Sequence, residues 1–182
     1  MCLLVSCQRG QLHTADLLFH VPPTQNAITS VTPGLYDHVA IVLSKDSVIE
    51  AIGRGVTITP LDSLLKQEGH YIIGRVRHAD CRQSVRNARR YVGRHYDHLY
   101  LSDNDDIYCS ELVLLSFVDH HGKPLFTTVP MTFRDSTGNI PDHWLHLYTS
   151  AGLDVPEGKP GSNPSELSKR SNVHIIGKLR CR

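Results

Sequence analysis

No stretch of the chain approaches the ~20 consecutive apolar residues that cross a bilayer as a helix, so nothing in it reads as a membrane span. A bias of charge is also missing: 19 Lys and Arg stand against 18 Asp and Glu, a net charge of +1 with the histidines neutral. A balance of that kind provides no general field to gather nucleic acid or an acidic membrane surface, and no nucleic-acid partner is expected. Cysteine is sparse, and Cys2, Cys7, Cys81, Cys109 and Cys181 include no CxxC pair. That excludes the short paired spacings of a structural zinc site; whether Cys81 and Cys181 pair is left open. The 12 histidines are scattered, with local clusters at His95–His98 and His120–His121, and no metal is expected. Aliphatic residues are plentiful. Leu, Ile, Val and Phe make 51 of 182 residues, 28%, above the ~20% below which a chain fails to bury a core. The length suits one globular domain, whose function must come from a site.

The chain opens Met1-Cys2-Leu3-Leu4-Val5-Ser6-Cys7. Leu4-Val5-Ser6-Cys7 has the form of a lipobox: an aliphatic residue, a tolerant position, a small residue, then the Cys that is lipidated. Read so, residues 1–7 are the end of a truncated lipoprotein signal and residues 8–182 are a single domain at the cell envelope, meeting the membrane only through Cys7. Only six residues precede Cys7, too few for the basic and apolar regions of a full signal. The other reading is a short apolar strand with a buried Cys in a cytoplasmic protein.

Along the chain, Ala15–Val21 reads as a strand stopped by Pro22-Pro23, and residues 24–35 as a loop. His38–Leu43 and Val48–Ile52 read as an antiparallel hairpin across Ser44-Lys45-Asp46-Ser47. A short strand at Val56–Thr59 leads into a helix capped at Thr59-Pro60 and reaching about Gln67. Tyr71–Arg77 is a strand, and Asp80 to Arg94 a helix with a solvated arginine face. Cys109–His120 is expected as a buried helix, Pro141–Ala151 as a further helix, Val155–Pro164 as a loop, Asn163-Pro164 as a cap and Val173–Leu179 as the last strand. Strands and helices mix without regular βαβ alternation, which predicts an α+β fold with an antiparallel sheet packed with helices.

Three residues in that layout carry chemistry. Cys109 stands where a polar acidic loop becomes a buried helix, and the unpaired N–H groups and dipole of a helix start favour a thiolate. A nucleophile needs a base and the base needs an orienting group. His38 begins the first strand of the hairpin, and Glu50 lies twelve positions later on its partner. The even separation puts both side chains on one face, where a carboxylate can accept the imidazole N–H and raise the basicity of the other nitrogen.

The segments GQLHTADLLFH, DHVAIVLSKDSVIEAIGRGVTITPLDSLL, VGRHYDHLYLSDNDDIYCSELV and MTFRDSTGNIPDHW resemble the YiiX/YebB-like cysteine hydrolases. These are circularly permuted papain-like amidases of the NlpC-type superfamily. The sharpest part is Tyr96-Asp97 followed by Tyr108-Cys109-Ser110-Glu111-Leu112. The resemblance implies a permuted papain-like fold in which the base precedes the nucleophile, as His38 precedes Cys109. It implies Cys109 as nucleophile, His38 as general base and Glu50 as the group orienting it. Backbone N–H groups near Cys109 would hold the oxyanion. Tyr108 is a candidate extra support there or a packing residue, and Asp97 and Glu111 are motif supports of loop and helix.

The activity implied is a thiol hydrolase, an amidase or peptidase that forms an acyl-enzyme on Cys109 and needs no cofactor. Its substrate would be a cell-wall peptide or an N-acylated lipid or amino acid. A lipid acyltransferase or esterase of the lecithin–retinol type is the alternative within enzymes. Those relatives carry a second His where this chain has Glu50, which favours the amidase branch. An inactive envelope binding module is the alternative outside enzymes, and the complete Cys, His and acidic set speaks against it.

Overall fold

The structure is a computed structural model that describes residues 11–31 and 34–179. The lipidation reading of Cys7 and the partner of Cys181 lie outside the described residues; Cys81 is an exposed free thiol. In chain order the first elements are β1 (Leu17–Val21), α1 (Ala27–Val31), β2 (His38–Ser44), β3 (Ser47–Ile52) and β4 (Gly55–Pro60). There follow α2 (Leu61–Leu64), β5 (His70–Val76), α3 (Cys81–Arg89) and α4 (Cys109–Ser116). The last are β6 (Val129–Pro130), α5 (Asp142–Ser150), β7 (Pro160–Gly161), α6 (Pro164–Leu167) and β8 (Val173–Lys178). Six strands form one antiparallel sheet in the order β4-β3-β2-β1-β5-β8, and β6 pairs with β7 apart from it. The α+β expectation holds.

Both faces of the sheet are covered, which is why β2 is apolar throughout rather than alternating with polar residues. Val39, Ile41 and Leu43 pack with Leu112 and Val113 of α4, while Ala40 and Val42 pack with Leu61 and Leu64 of α2. The β2–β3 hairpin turns at Lys45-Asp46. Its register runs Ile41↔Ile49, Val42↔Val48, then Ser44↔Ser47, so Leu43 is an extra residue, a bulge that bends the strand. Gly55 closes the next turn at φ +99°, and a Cβ there would lie 2.3 Å from the Arg94 carbonyl oxygen. Only glycine meets both demands.

Three expectations are corrected. Residues 24–35 contain α1, because Asn26 Oδ1 accepts the N–H groups of Ile28 and Thr29, each at 3.1 Å, and starts a turn. The helix at Cys109 stops at Ser116, short of His120. Ser116 Oγ bonds back to the Leu112 carbonyl and Phe117 turns extended. Its ring is thereby buried, and Val118 bridges Pro124. The arginine-faced helix ends at Arg89, and the chain passes through turns to Gly93 at φ +91°. The cap at Asn163 is present as expected, its side chain accepting from Glu166 N at 2.8 Å.

The centre of the sheet has no spare room. A Cβ on Gly74 would stand 2.6 Å from Phe19 Cε2 and 3.3 Å from Val173 Cγ1, and Phe19 is fully buried. Overpacking of this kind costs about 1–3 kcal/mol. Gly74→Ala is therefore expected to lower the unfolding free energy by that amount, read in equilibrium unfolding as a lower urea midpoint with an unchanged slope.

Candidate active site

The sheet and α4 bring the three sequence candidates together. His38 Nε2 lies 2.8 Å from Glu50 Oε2, with side-chain exposures of 16% and 1%. The strand register places Glu50 across from Thr57 on β4 and, continuing the β2–β3 register, level with Ala40. His38 therefore meets Glu50 diagonally, one pleat along. By alternation His38 belongs with Ala40 and Val42, whereas Cys109 packs among Val39, Ile41 and Ala51 on the α4 side. They meet because His38 is the first residue of β2, at the end of the sheet. The Cys109 thiol sits beside the ring, close enough to act on it as a hydrogen-bond partner and as a charge. With Nε2 committed to Glu50, Nδ1 is the nitrogen left for Cys109.

Electrostatics follow from that placement. Burial works against the His38 cation, but the hydrogen bonds and charges of Cys109 and Glu50 outweigh it and push the ring up to about 10. Burial likewise opposes ionisation of Glu50. Contact with His38, helped by Thr59 and the Arg54 charge, prevails and holds the carboxyl below its ordinary range. Its second oxygen, Oε1, is buried without a hydrogen bond of ordinary geometry.

A second imidazole–carboxylate pair braces the strand entrance. His20 stands directly across from His38 in the sheet. Its Nδ1 is 2.6 Å from Asp37 Oδ1, and its Nε2 is 2.8 Å from the Glu68 carbonyl. Burial again disfavours the His20 cation, and the contacts to Asp37 and Glu68 overcome it, so the ring is raised. With both nitrogens engaged, His20 positions the chain just before His38.

The motif residues take distinct places. Asp97 is buried and accepts from Leu99 N at 2.8 Å, Leu101 N at 2.6 Å and Asn104 Nδ2 at 3.3 Å. Tyr108 is the N-cap residue of α4. Its hydroxyl oxygen accepts from Ser162 N at 3.1 Å, tying the segment before α6 to the helix that Cys109 begins. Those contacts match the packing reading and give the oxyanion reading no support. Glu111 is the third residue of α4 and reaches back toward the Tyr108 backbone N–H, a capping-box position. Burial, only partly offset by that N–H, raises its carboxyl to about 7, and Oε2 is left without a partner.

Sequence reading missed the aromatic wall beside the thiol. Tyr100, at φ +53°, packs its ring 5.4 Å from Tyr108 and 5.7 Å from Trp144. Trp144 in turn lies 5.0 Å from Phe133. Tyr100 and Trp144 are 44 positions apart, and although both lie in segments quoted for the family resemblance, nothing local in either segment joins them. Among the described residues no group of three or more His, Cys, Asp or Glu side chains is placed to hold a metal ion.

Comparison with known proteins bears on the family and the fold. The family described as permuted papain-like amidase enzyme, YaeF/YiiX, C92, matches residues 11–176. YiiX of Escherichia coli (strain K12), described as uncharacterized, is 30% identical over 114 residues, which span 57% of this chain and 56% of that relative's length. The crystal structure of metalloprotein yiiX from Escherichia coli O157:H7 superposes with a TM-score of 0.77 at 23% identity, covering 92% of this chain and 98% of that one. The fold is therefore the permuted papain-like one.

Glu111 gives a pH test of the helix start. A carboxyl raised from its unfolded value to about 7 favours the fold while protonated and costs stability as pH rises through that range. Glu111→Gln removes the cost. It is expected to leave stability little changed near pH ~4 and to increase it at pH ~8, measured by thermal unfolding at both.

Proposed function

The chain belongs to the C92 family of permuted papain-like amidases, and from that premise we propose that it cleaves amide bonds with Cys109 as nucleophile, His38 as base and then acid, and Glu50 holding His38. The observation that carries the proposal is the 2.8 Å contact of His38 Nε2 with Glu50 Oε2 on a ring that also has Cys109 beside it. Such a ring is kept as an imidazolium next to a nucleophile at a helix start, where the dipole favours the thiolate.

The reaction is then written from these groups. The Cys109 sulfur adds to the amide carbonyl carbon, and the carbonyl electrons move to oxygen. First-turn N–H groups of α4 are available to that oxyanion, since no side chain caps them and a helix leaves them unpaired internally. Collapse of the adduct breaks the C–N bond, and His38 gives its proton to the departing nitrogen. Water next attacks the thioester as His38 takes its proton, releasing the acid and restoring the thiolate–imidazolium pair. Glu50 carries its charge throughout and stabilises the imidazolium without itself accepting the proton. The carboxylate at position 50 supports the amidase reading over lecithin–retinol-type acyl transfer.

Cys109→Ala is expected to reduce turnover to background while the fold survives, and His38→Ala to cost nearly as much. Proton transfer by a placed group is worth about 10²–10⁴ in rate, and Glu50→Gln should fall at or below the lower end because an amide still accepts the imidazole N–H. Removing the Glu50 charge lowers the His38 ring from its raised value, so the alkaline limb of kcat/KM should move to lower pH in Glu50→Gln. The triple variant should be little worse than Cys109→Ala, since residues acting as a unit are not additive. Rates and pH profiles on one chromogenic amide check all of this. Near wild-type hydrolysis by Cys109→Ala would place the chemistry elsewhere.

A further inference from the structure

Beside Cys109 and Ser110 a pocket opens whose walls are Ile28, Val31, Tyr100, Met131, Phe133 and Trp144, completed by the Tyr108 ring and residues 162–164. No charged side chain lines it. Its hydroxyls are already engaged: Ser162 Oγ donates to Ser110 Oγ at 3.0 Å, and Thr132 Oγ1 donates to Glu157 Oε1 at 3.1 Å. One polar group in the wall is different. Trp144 is 3% exposed, and its Nε1–H is buried with no acceptor among the described residues. A buried donor without a partner is destabilising, and a ligand's acceptor would remove that penalty.

The pocket also has a side. Cys109 lines it and His38 does not. In the reaction above the leaving nitrogen must depart toward His38 to receive its proton, so the acyl part lies on the other side of the sulfur. We infer that this pocket is the acyl-side subsite, that it takes an uncharged apolar acyl group, and that Trp144 Nε1–H donates to an acceptor oxygen where that group carries one. The inference rests on Cys109 as the nucleophile. An uncharged apolar acyl group can come from an apolar aminoacyl residue or from a fatty acyl chain; polar, charged cell-wall peptide residues do not suit these walls. An aminoacyl residue carries an extra amide oxygen near the scissile carbonyl, and a simple fatty chain does not.

Trp144 is the sole tryptophan of the chain, so its fluorescence reports the pocket directly. In the Cys109→Ala protein, the neutral carboxamides of acetyl, hexanoyl and phenylacetyl groups and the negatively charged carboxamide of succinyl are titrated. Each buried methylene is worth roughly fourfold in affinity, so hexanamide should saturate the signal at least tenfold below acetamide, and the succinyl compound should give no change. No response to any apolar amide, or tighter binding of the charged one, overturns the subsite. In parallel the unmodified protein is given anilides with one leaving group and acetyl, isocaproyl, N-acetylleucyl or succinyl as acyl part. Isocaproyl and N-acetylleucyl should exceed acetyl and succinyl in kcat/KM by at least tenfold. Turnover without that preference overturns the subsite and leaves Cys109 in place. Binding to Cys109→Ala with no turnover by the unmodified protein, by contrast, overturns the amidase reading alone. Trp144→Phe should lower kcat/KM for N-acetylleucyl at least fivefold more than for isocaproyl; an equal loss on both removes the donor role. Ile28→Phe, on the half-buried rim, should lower the ratio of isocaproyl to acetyl turnover, and an unchanged ratio counts against the walls assigned.

Discussion

A carboxylate buried in the middle of a sheet needs a compensating charge, and Glu50 finds it in His38. The effective penalty of taking an ion out of water is several kcal/mol, repaid only by close geometry and further hydrogen bonds. Glu50 is 1% exposed and leaves one oxygen unbonded, so its contact with His38 carries most of that compensation. The same contact, together with the Cys109 thiol, raises the ring against the effect of its burial, and it occupies Nε2. Two further arrangements serve it: the Leu43 bulge that shapes the hairpin, and the His20–Asp37 pair that holds the strand entrance. The ionic state of the site and the geometry of the sheet are thus one constraint.

The two sides of Cys109 are built differently. His38 and Glu50 sit on paired strands, where backbone hydrogen bonds limit their movement. The pocket on the other side comes from α1, the Tyr100 loop, the residues that follow β6 and β7, and α5, elements from well-separated parts of the chain. In the mechanism proposed, strands hold the acid–base pair and connecting segments shape what is recognised. Tyr108 joins the two halves. Its ring meets Tyr100 while its hydroxyl receives Ser162.

The hairpin and its polar pair were legible because strand period and residue spacing are local: twelve positions and a tight turn put His38 and Glu50 on one face whatever the rest does. The helix start at Cys109 was legible from the change of polar loop to apolar run. Its end was not, because Ser116 and Phe117 obey burial and a bridge to Pro124 rather than helical periodicity. That His38 reaches Cys109 from the α2 side was likewise hidden, since it depends on His38 being the terminal residue of its strand. The aromatic wall had no local signal. Tyr100, Phe133 and Trp144 look like ordinary core residues until the fold places them around the thiol.

The separation between the site's parts along the chain bears on the order of assembly. His38 and Glu50 lie within one hairpin, a short loop to close, whereas Cys109 joins from 59 positions beyond Glu50 (109 − 50). Distant contacts carry a larger closure entropy and form later when the rest of the fold offers them support. The His38–Glu50 pair can thus be in place while the thiol still lacks its neighbour. On the mechanism proposed, reactivity arrives with the docking of α4 onto β2 and β3, so an incompletely folded chain carries a cysteine without the means to use it.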